Sequence, residues 1–367
     1  MHPKLKDSVE LFPAGDGSLY LLCAASGEDY LVEDPSAAER ALLGALRDGG
    51  PWEELVADIV GASPGATAAQ LDAALACLIE LGVVEDAWDP PGDALSAAEA
   101  DRYGRQLAYF GELLPYGSSR VAAQARLKHA RVVVLGLGGL GSWAVWALAS
   151  AGVGTIVGVD GDRVERSNLN RQILYGDADV GRGKADCAAR AVASFNPHIA
   201  FVPIGRRLDG EAEVAEAIAG AGFVVEAADW PAHLIGRWVN RACMRAGVPH
   251  ASASQFPPFV RIGPTVMPGR TACVECREAE ARDQNPLFDE LVAFRQSNDA
   301  VAATFGPACG LIGSLLAMEA VHHLAGVGPP ATLGRAVLVD LRTLATTWEE
   351  AERHAECGCC AGFAQRL

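Results

Sequence analysis

The first 90 residues are almost without basic side chains. Lys4, Lys6, Arg40 and Arg47 stand against 17 carboxylates, a net of −13 within the −16 of the whole 367-residue chain. Phosphate binding needs a basic face, so this segment argues against nucleic acid and suits a basic peptide partner better, although most acidic surfaces are simply solvated. Also lacking is an uninterrupted apolar run. Met1-His-Pro-Lys4-Leu-Lys6-Asp7 opens on a polar–apolar mixture, and no secretion signal is expected. The most apolar stretch, Pro307 to Val327, contains Glu319, His322 and His323, and reads as a buried helix rather than a membrane span. The ten cysteines make no small secreted framework: Cys23, Cys77, Cys187, Cys243, Cys309 and Cys359 are scattered or lie near apolar runs. That usage fits a reducing cytoplasm.

What is present divides into two unequal parts, as a chain of this length allows. In front, three short β-like runs (Ser8 to Phe12, Ser18 to Ala24, Asp29 to Glu33) are separated by Gly15-Asp-Gly17 and Gly27-Glu-Asp29. Helical patterns follow. Ser36 to Leu46 carries Ala37, Leu42, Leu43 and Leu46 on one face behind an N-cap serine; Trp52 to Ile59 is a second helix. Thr67 to Leu81 is a third, with Gln70 at the capping-box position. Strands, then three helices, then Val83-Val84 make a small winged-helix-like α+β domain over residues 1–88. Asp89-Pro-Pro-Gly92 reads as a linker. From Leu95 helices and strands alternate, which predicts a Rossmann-like doubly wound α/β sheet over residues 89–367. Its strands include Val202 to Ile204, Phe223 to Glu226, His250 to Ala253 and Val337 to Asp340, with helices at Ala212 to Ala219 and His233 to Ala246.

The densest signal runs from Val132 to Lys184. An apolar strand (Val132 to Leu135) leads into Gly136-Leu-Gly138-Gly139-Leu-Gly141 and a helix to Ala151. Gly136, Gly138, Gly139 and Gly141 form a glycine cradle: they allow a tight turn, close backbone approach to phosphate and tight helix packing. The helix N-terminus supplies free N–H groups for that phosphate. A second strand, Thr155 to Val159, delivers Asp160, whose carboxylate can accept bonds from ribose hydroxyls. To this point NAD, ATP or glycines that merely pack all fit. Asn168-Leu-Asn-Arg171-Gln172 and Gly183-Lys184 favour ATP. Hydride transfer has no use for two further cations, whereas displacement at an α-phosphate develops charge that Arg171 and Lys184 can stabilise. Asp229, ending the strand Phe223-Val-Val-Glu-Ala-Ala, can hold Mg2+, or else cap the next helix. Cys273-Val-Glu-Cys276 and Cys357-Gly-Cys-Cys360 together suit tetrahedral structural zinc, although one such pair alone can also be a redox pair. Cys359 crowds the second pair and is either an alternative ligand or a free thiol.

These ordered motifs closely resemble the ThiF/MoeB/HesA family, bacterial relatives of ubiquitin-activating enzymes. Arg102-Tyr103-Gly-Arg105-Gln106, Phe195-Asn196-Pro197-His198 and Ile312-Gly-Ser314-Leu-Leu-Ala-Met-Glu319-Ala match further family blocks, and the likeness covers roughly Leu95 to Cys360. The resemblance implies a homodimer that adenylates a C-terminal carboxylate with ATP and Mg2+, usually on a ubiquitin-like carrier protein or a peptide. It implies that Asp160 holds the ribose; Asn168 and Gln172, candidate nucleotide-binding residues, stand beside Arg171 in the sequence. Arg171 and Lys184 contact the phosphates, Asp229 assists Mg2+, and Arg105 reaches the neighbouring subunit's nucleotide. A zinc site often accompanies the family at Cys273, Cys276, Cys357 and Cys360. Two departures stand out. No cysteine falls between Ala279 and Gly306, so no enzyme thioester is expected there, and Cys309 is read as core. Trp230 stands where many relatives have a small polar residue.

The front segment resembles the peptide-clamp element of ribosomal natural-product pathways, as in MccB and leader-binding ThiF-like proteins, or else is a packing domain. Such elements take a leader peptide as an added strand. Three functions are therefore in view: adenylation of a ribosomally made precursor peptide, adenylation of a sulfur carrier, or a scaffold presenting a leader to a partner modifying enzyme.

Overall fold

The computed structural model describes residues 1–24, 27–87, 94–232, 234–297 and 303–361. The chain divides into two compact units, Met1–Ala125 and Arg126–Leu367.

In the first unit, strands β1 (Pro3–Leu5), β2 (Val9–Pro13), β3 (Leu19–Cys23) and β4 (Glu28–Val32) precede helices α1 (Ala37–Asp48), α2 (Trp52–Ala62) and α3 (Ala68–Glu80). Strand β5 (Val84–Asp86) and helix α4 (Ala97–Leu113) follow. The helix starts are fixed locally. Ser36 Oγ accepts from the Glu39 N–H at 3.2 Å while the Glu39 carboxylate accepts from the Ser36 N–H at 2.8 Å. Thr67 and Gln70 repeat the arrangement. Each box satisfies two amides that the helix cannot. In the antiparallel sheet β2-β3-β4, alternate residues Leu19, Leu21 and Cys23 are buried with Leu42, Leu46, Leu71 and Leu75 in one core. The pairing of β1 with β5 was not expected; three residues each is too short for a periodic signal. The unit continues past residue 88 because α4 is tied to it: the Glu112 carboxylate accepts from Ser8 Oγ at 2.6 Å and the Ser8 N–H at 3.1 Å, and Lys6 Nζ donates to the Glu112 carbonyl at 3.0 Å. The expected linker Asp89 to Gly92 lies outside the described residues. Helix α5 (Arg120–His129) spans the division between the units.

The second unit alternates as expected: β6 (Arg131–Leu135), α6 (Gly139–Ala151), β7 (Thr155–Val159), α7 (Lys184–Phe195), β8 (Ala200–Ile204), α8 (Glu211–Ala217), β9 (Phe223–Glu226), α9 (Leu234–Ala246) and β10 (His250–Phe256). His233, the expected first residue of the helix at α9, lies outside the described residues. Then come β11 (Phe259–Val266), α10 (Val274–Gln284), α11 (Phe288–Ser297), α12 (Gly306–Ala325), β12 (Arg335–Asp340) and β13 (Thr346–Glu350). One sheet has the order β13-β12-β11-β10-β9-β6-β7-β8. From β10 to β8 the neighbours are parallel; from β10 outward to β13 they are antiparallel. This antiparallel wing extends the expected doubly wound sheet. Only Pro257 and Pro258 separate β10 from β11, too few residues for the crossover that a parallel neighbour requires.

Helix α12 is long and apolar enough to cross a membrane by length and composition alone. It packs instead inside the unit. Gly310 lies against the Trp143 ring, and a Cβ at Gly313 would meet the Leu140 carbonyl oxygen at 2.6 Å, so α12 and α6 touch at backbone distance. Its buried Glu319 carboxylate accepts from Thr265 Oγ1 and Thr332 Oγ1, each at 2.7 Å, and from the Ala331 and Thr332 N–H groups at 3.0 Å. A polar group so enclosed is tolerated because its oxygens find hydrogen-bond donors.

Candidate active site

The glycine cradle lies at the carboxyl end of β6, between β7 and β9. Gly136 takes φ +86°, and a Cβ there would meet the backbone of Ala227 and Ala228 at 2.7–2.8 Å. The loop is thereby pressed against the end of β9. A Cβ at Gly141 would stand 1.8 Å from the Gly136 carbonyl oxygen, so only glycine lets α6 begin where it does. Gly138 has ordinary clearance, its nearest neighbour being Gln172 Nε2 at 3.7 Å from a built Cβ. Gln172 is buried and its Oε1 has no hydrogen-bond partner. An orphaned acceptor beside an open helix N-terminus is the arrangement that a bound nucleotide would complete.

Asp160 is the hub of the site. Its Oδ2 accepts from the Leu137 N–H at 2.8 Å and its Oδ1 from the Asp162 N–H at 2.8 Å. Lys184, first residue of α7 and buried, sits 3.9 Å from Asp160 Oδ2 and donates to Asp162 Oδ2 at 3.2 Å. Arg207 donates to the other Asp162 oxygen at 2.9 Å. Burial pushes the Asp162 carboxyl up, but the Arg207 hydrogen bond and the Lys184 charge outweigh it and hold Asp162 below the ordinary carboxylate range. Two carboxylates thus flank the Lys184 ammonium at the carboxyl end of β7.

Arg171 is half-buried beside the cradle, its guanidinium donating to the Ser167 carbonyl at 2.8 Å and to Asn170 Oδ1 at 3.0 Å. Its own carbonyl accepts from Trp143 Nε1 at 3.1 Å, which ties the segment to α6. Asn168 is buried and structural on one side, its Oδ1 accepting from the Glu165 N–H at 3.0 Å. Cys309 is core, as expected: fully buried, with Sγ 2.8 Å from where a Cβ on Gly139 would lie. Burial raises its thiol pKa and the Arg171 charge only partly offsets this, so it is no ready nucleophile. The cysteine-free crossover, 279–306, includes residues 298–302, outside the described residues.

Asp229 is exposed in the loop after β9, followed by Trp230, also exposed. Arg105 is exposed on α4 in the first unit. Sequence reasoning missed three contributors. Asp162 and Arg207 complete the ion network, and Tyr175 donates its hydroxyl to the Leu137 carbonyl at 2.9 Å, pinning the cradle. The pair Asp160-Gly-Asp162 held a readable signal; Arg207 and Tyr175 did not, because only the fold brings them to the site.

The four paired cysteines meet in a buried cluster. Sγ atoms of Cys273, Cys276, Cys357 and Cys360 all lie within 4.8 Å of one another. Separations of 3.9, 3.6 and 3.2 Å for Cys273–Cys276, Cys273–Cys357 and Cys276–Cys360 bracket the tetrahedron edge of about 3.8 Å that follows from Zn–S bonds of ~2.3 Å. A hydrogen bond from Cys359 outweighs burial and draws Cys273 down to about 5, toward the thiolate that zinc requires. Cys359 itself stands outside the foursome, its Sγ accepting from Asn240 Nδ2 at 3.2 Å. All ten cysteines are free thiols. The residues fit a zinc ion, with four thiolates and no open position for substrate.

A family model described as the ThiF family matches residues 103–360. The chain is 36% identical over 266 residues to the molybdopterin-synthase adenylyltransferase of Escherichia coli (strain K12), covering 72% of this chain and 98% of that protein. This chain belongs to the ThiF family. As a ThiF-family member it is an ATP-dependent adenylyltransferase of the ubiquitin-like-modifier-activating type. It is also 34% identical to the E. coli sulfur carrier protein ThiS adenylyltransferase, over 57% of this chain and 77% of that one. In fold it is similar to E. coli MccB, with a TM-score of 0.78 at 23% identity, covering 100% of this chain and 98% of that one. The curated relative accounts for the ThiF-family region; the likeness to MccB also takes in the first unit.

Proposed function

We propose that this ThiF-family enzyme transfers AMP from ATP to a carboxylate of a ribosomally made precursor peptide. Residues 1–88 recruit the leader and residues 89–367 do the chemistry. The supporting observation is the first unit: its three-stranded sheet leaves β2 and β4 as edges, to which an extended peptide can add. Its strong negative charge suits a basic leader.

The terminal carboxylate of the acceptor, with pKa about 3.5, is ionised at neutral pH and needs no general base. One of its oxygens attacks the α-phosphorus; the bond to the bridging oxygen breaks, and pyrophosphate leaves with the electron pair. Lys184 and Arg171 stabilise the charge that develops on the phosphate oxygens. The cradle of Gly136, Gly138, Gly139 and Gly141 holds the phosphates, Asp160 the ribose, and Asn168 and Gln172 flank them. Asp229 would hold Mg2+, which supplies charge neutralisation on the phosphates. Arg105 is assigned to the nucleotide of a second copy, in a homodimer. Structural zinc on the four cysteines and a cytoplasmic setting complete the reading.

A second reading has its own support. The 36% identity to a molybdopterin-synthase adenylyltransferase favours a sulfur-carrier protein as acceptor. A scaffold for a partner modifying enzyme is disfavoured by the retention of Arg171, Lys184 and Asp229. ATP–pyrophosphate exchange with purified protein decides among them. Exchange with precursor peptides is expected; exchange only with a Gly-Gly-ended carrier would overturn the peptide reading, and leader binding without exchange would overturn the catalytic one.

A further inference from the structure

Trp230 and Arg207 meet across the site. Arg207 follows β8, Trp230 follows β9, and β6 and β7 lie between those strands. At about 4.8 Å per strand, the ends of β8 and β9 are roughly 14 Å apart. Even so, the Arg207 guanidinium carbon lies 5.1 Å from the Trp230 ring centroid. The loop after β8 leans inward to allow this: a Cβ on Gly161 would meet the Arg207 amide nitrogen at 2.6 Å. The two side chains therefore span the carboxyl ends of β6 and β7, over the ground held by the cradle and Asp160.

Arg207 does not reach out freely. Its guanidinium is fixed on Asp162 Oδ1 at 2.9 Å, and Asp162 in turn carries Lys184. Trp230 nevertheless remains 55% exposed. An indole that lies on a cation and is still more than half exposed can offer a flat aromatic face to a planar ligand. Geometry orders the nucleotide along the sheet. With phosphates at the cradle after β6 and ribose at Asp160 after β7, the base extends toward β8, where Arg207 stands.

We propose that Trp230, held by Arg207 on Asp162, is the stacking platform for the purine base of the nucleotide. Arg207 is then a positioning residue rather than a phosphate ligand, and the bulky residue after Asp229 has a role of its own. This rests on the assignment of the crevice to ATP.

The test compares binding of ATP, AMP and inorganic tripolyphosphate by calorimetry to the full-length wild type, Trp230→Phe and Trp230→Ala. Loss of a base–aromatic stack should weaken ATP and AMP about tenfold or more in Trp230→Ala, with tripolyphosphate unchanged. Trp230→Phe should retain most of the affinity. Saturating ATP should also quench tryptophan emission in the wild type, and that quench should vanish in Trp230→Phe, a variant that preserves an aromatic ring and the fold. Equal affinity of Trp230→Ala and wild type for ATP would overturn the proposal, as would equal loss for ATP and tripolyphosphate, or a quench that survives in Trp230→Phe. A wild type that binds no ATP would instead overturn the assignment beneath it.

Discussion

The two units concentrate their polar groups in different ways. In the first, polar side chains are mostly spent on local structure: Ser36 and Glu39, or Thr67 and Gln70, cap helices three residues away. In the second, they converge from distant strands: Leu137, Asp160, Asp162, Lys184 and Arg207 form one network from the ends of three strands and the start of a helix. A group that satisfies its neighbour builds an element. One held from afar either ties elements together, as Glu112 does with Ser8, or gathers charges in one place, as Asp162 does with Lys184 and Arg207. By this measure the second unit holds the convergent polar network of the candidate site, while the first is dominated by local bonds.

The largest effect that would sharpen the contrast is loss of the cysteine cluster. Metal analysis should find one zinc per chain, and Cys276→Ser should abolish it and destabilise the second unit by several kcal/mol, read by thermal denaturation. Cys359→Ser should keep the zinc, since that thiol lies outside the foursome. Zinc retained in Cys276→Ser would mean that the ligand set is wrong.

Next is Glu226, buried on β9, where desolvation raises its carboxyl to about 7. A carboxyl raised above its unfolded value near 4.5 costs stability as pH climbs from about 4.5 to 7, and the cost stays constant above that. Glu226→Gln should therefore stabilise the protein by up to about 3 kcal/mol at pH 8 and by almost nothing at pH 4, measured as melting temperature against pH. A constant difference across that range would contradict the assignment.

The smallest effect lies in the first unit. Ser36→Ala should cost about 1 kcal/mol in chemical denaturation and leave pyrophosphate exchange intact. Impaired exchange with undiminished stability would break the contrast, because a cap would then be acting in the chemistry.

Sequence and structure agree most where the cause is local. Thr155 to Val159 and Phe223 to Glu226 were legible to the residue, because apolar runs with glycine or strand-end acids mark fully buried parallel strands. The caps at Ser36 and Thr67 were legible for the same reason. The strands β1 and β5 were not, nor was the wing formed by β11 and β13, since their pairing depends on segments far away in the chain. The glycine cradle could be read from its spacing. Arg207 and Tyr175 could not: one reaches Asp162 across 45 positions and the other reaches Leu137 across 38. Trp230 was visible only as an oddity beside Asp229, and it acquired meaning once Arg207 lay against it.

The most direct measurement of the proposed division of labour compares Lys184→Ala with the wild type in two assays on the same preparations: AMP transfer to the proposed precursor peptide and binding of its leader. Removing the cation proposed to stabilise the transition state should lower transfer by about 10²- to 10³-fold, while leader affinity stays within about twofold. Equal loss in both assays would contradict the account, because recognition and chemistry would then not be separate properties of the two units.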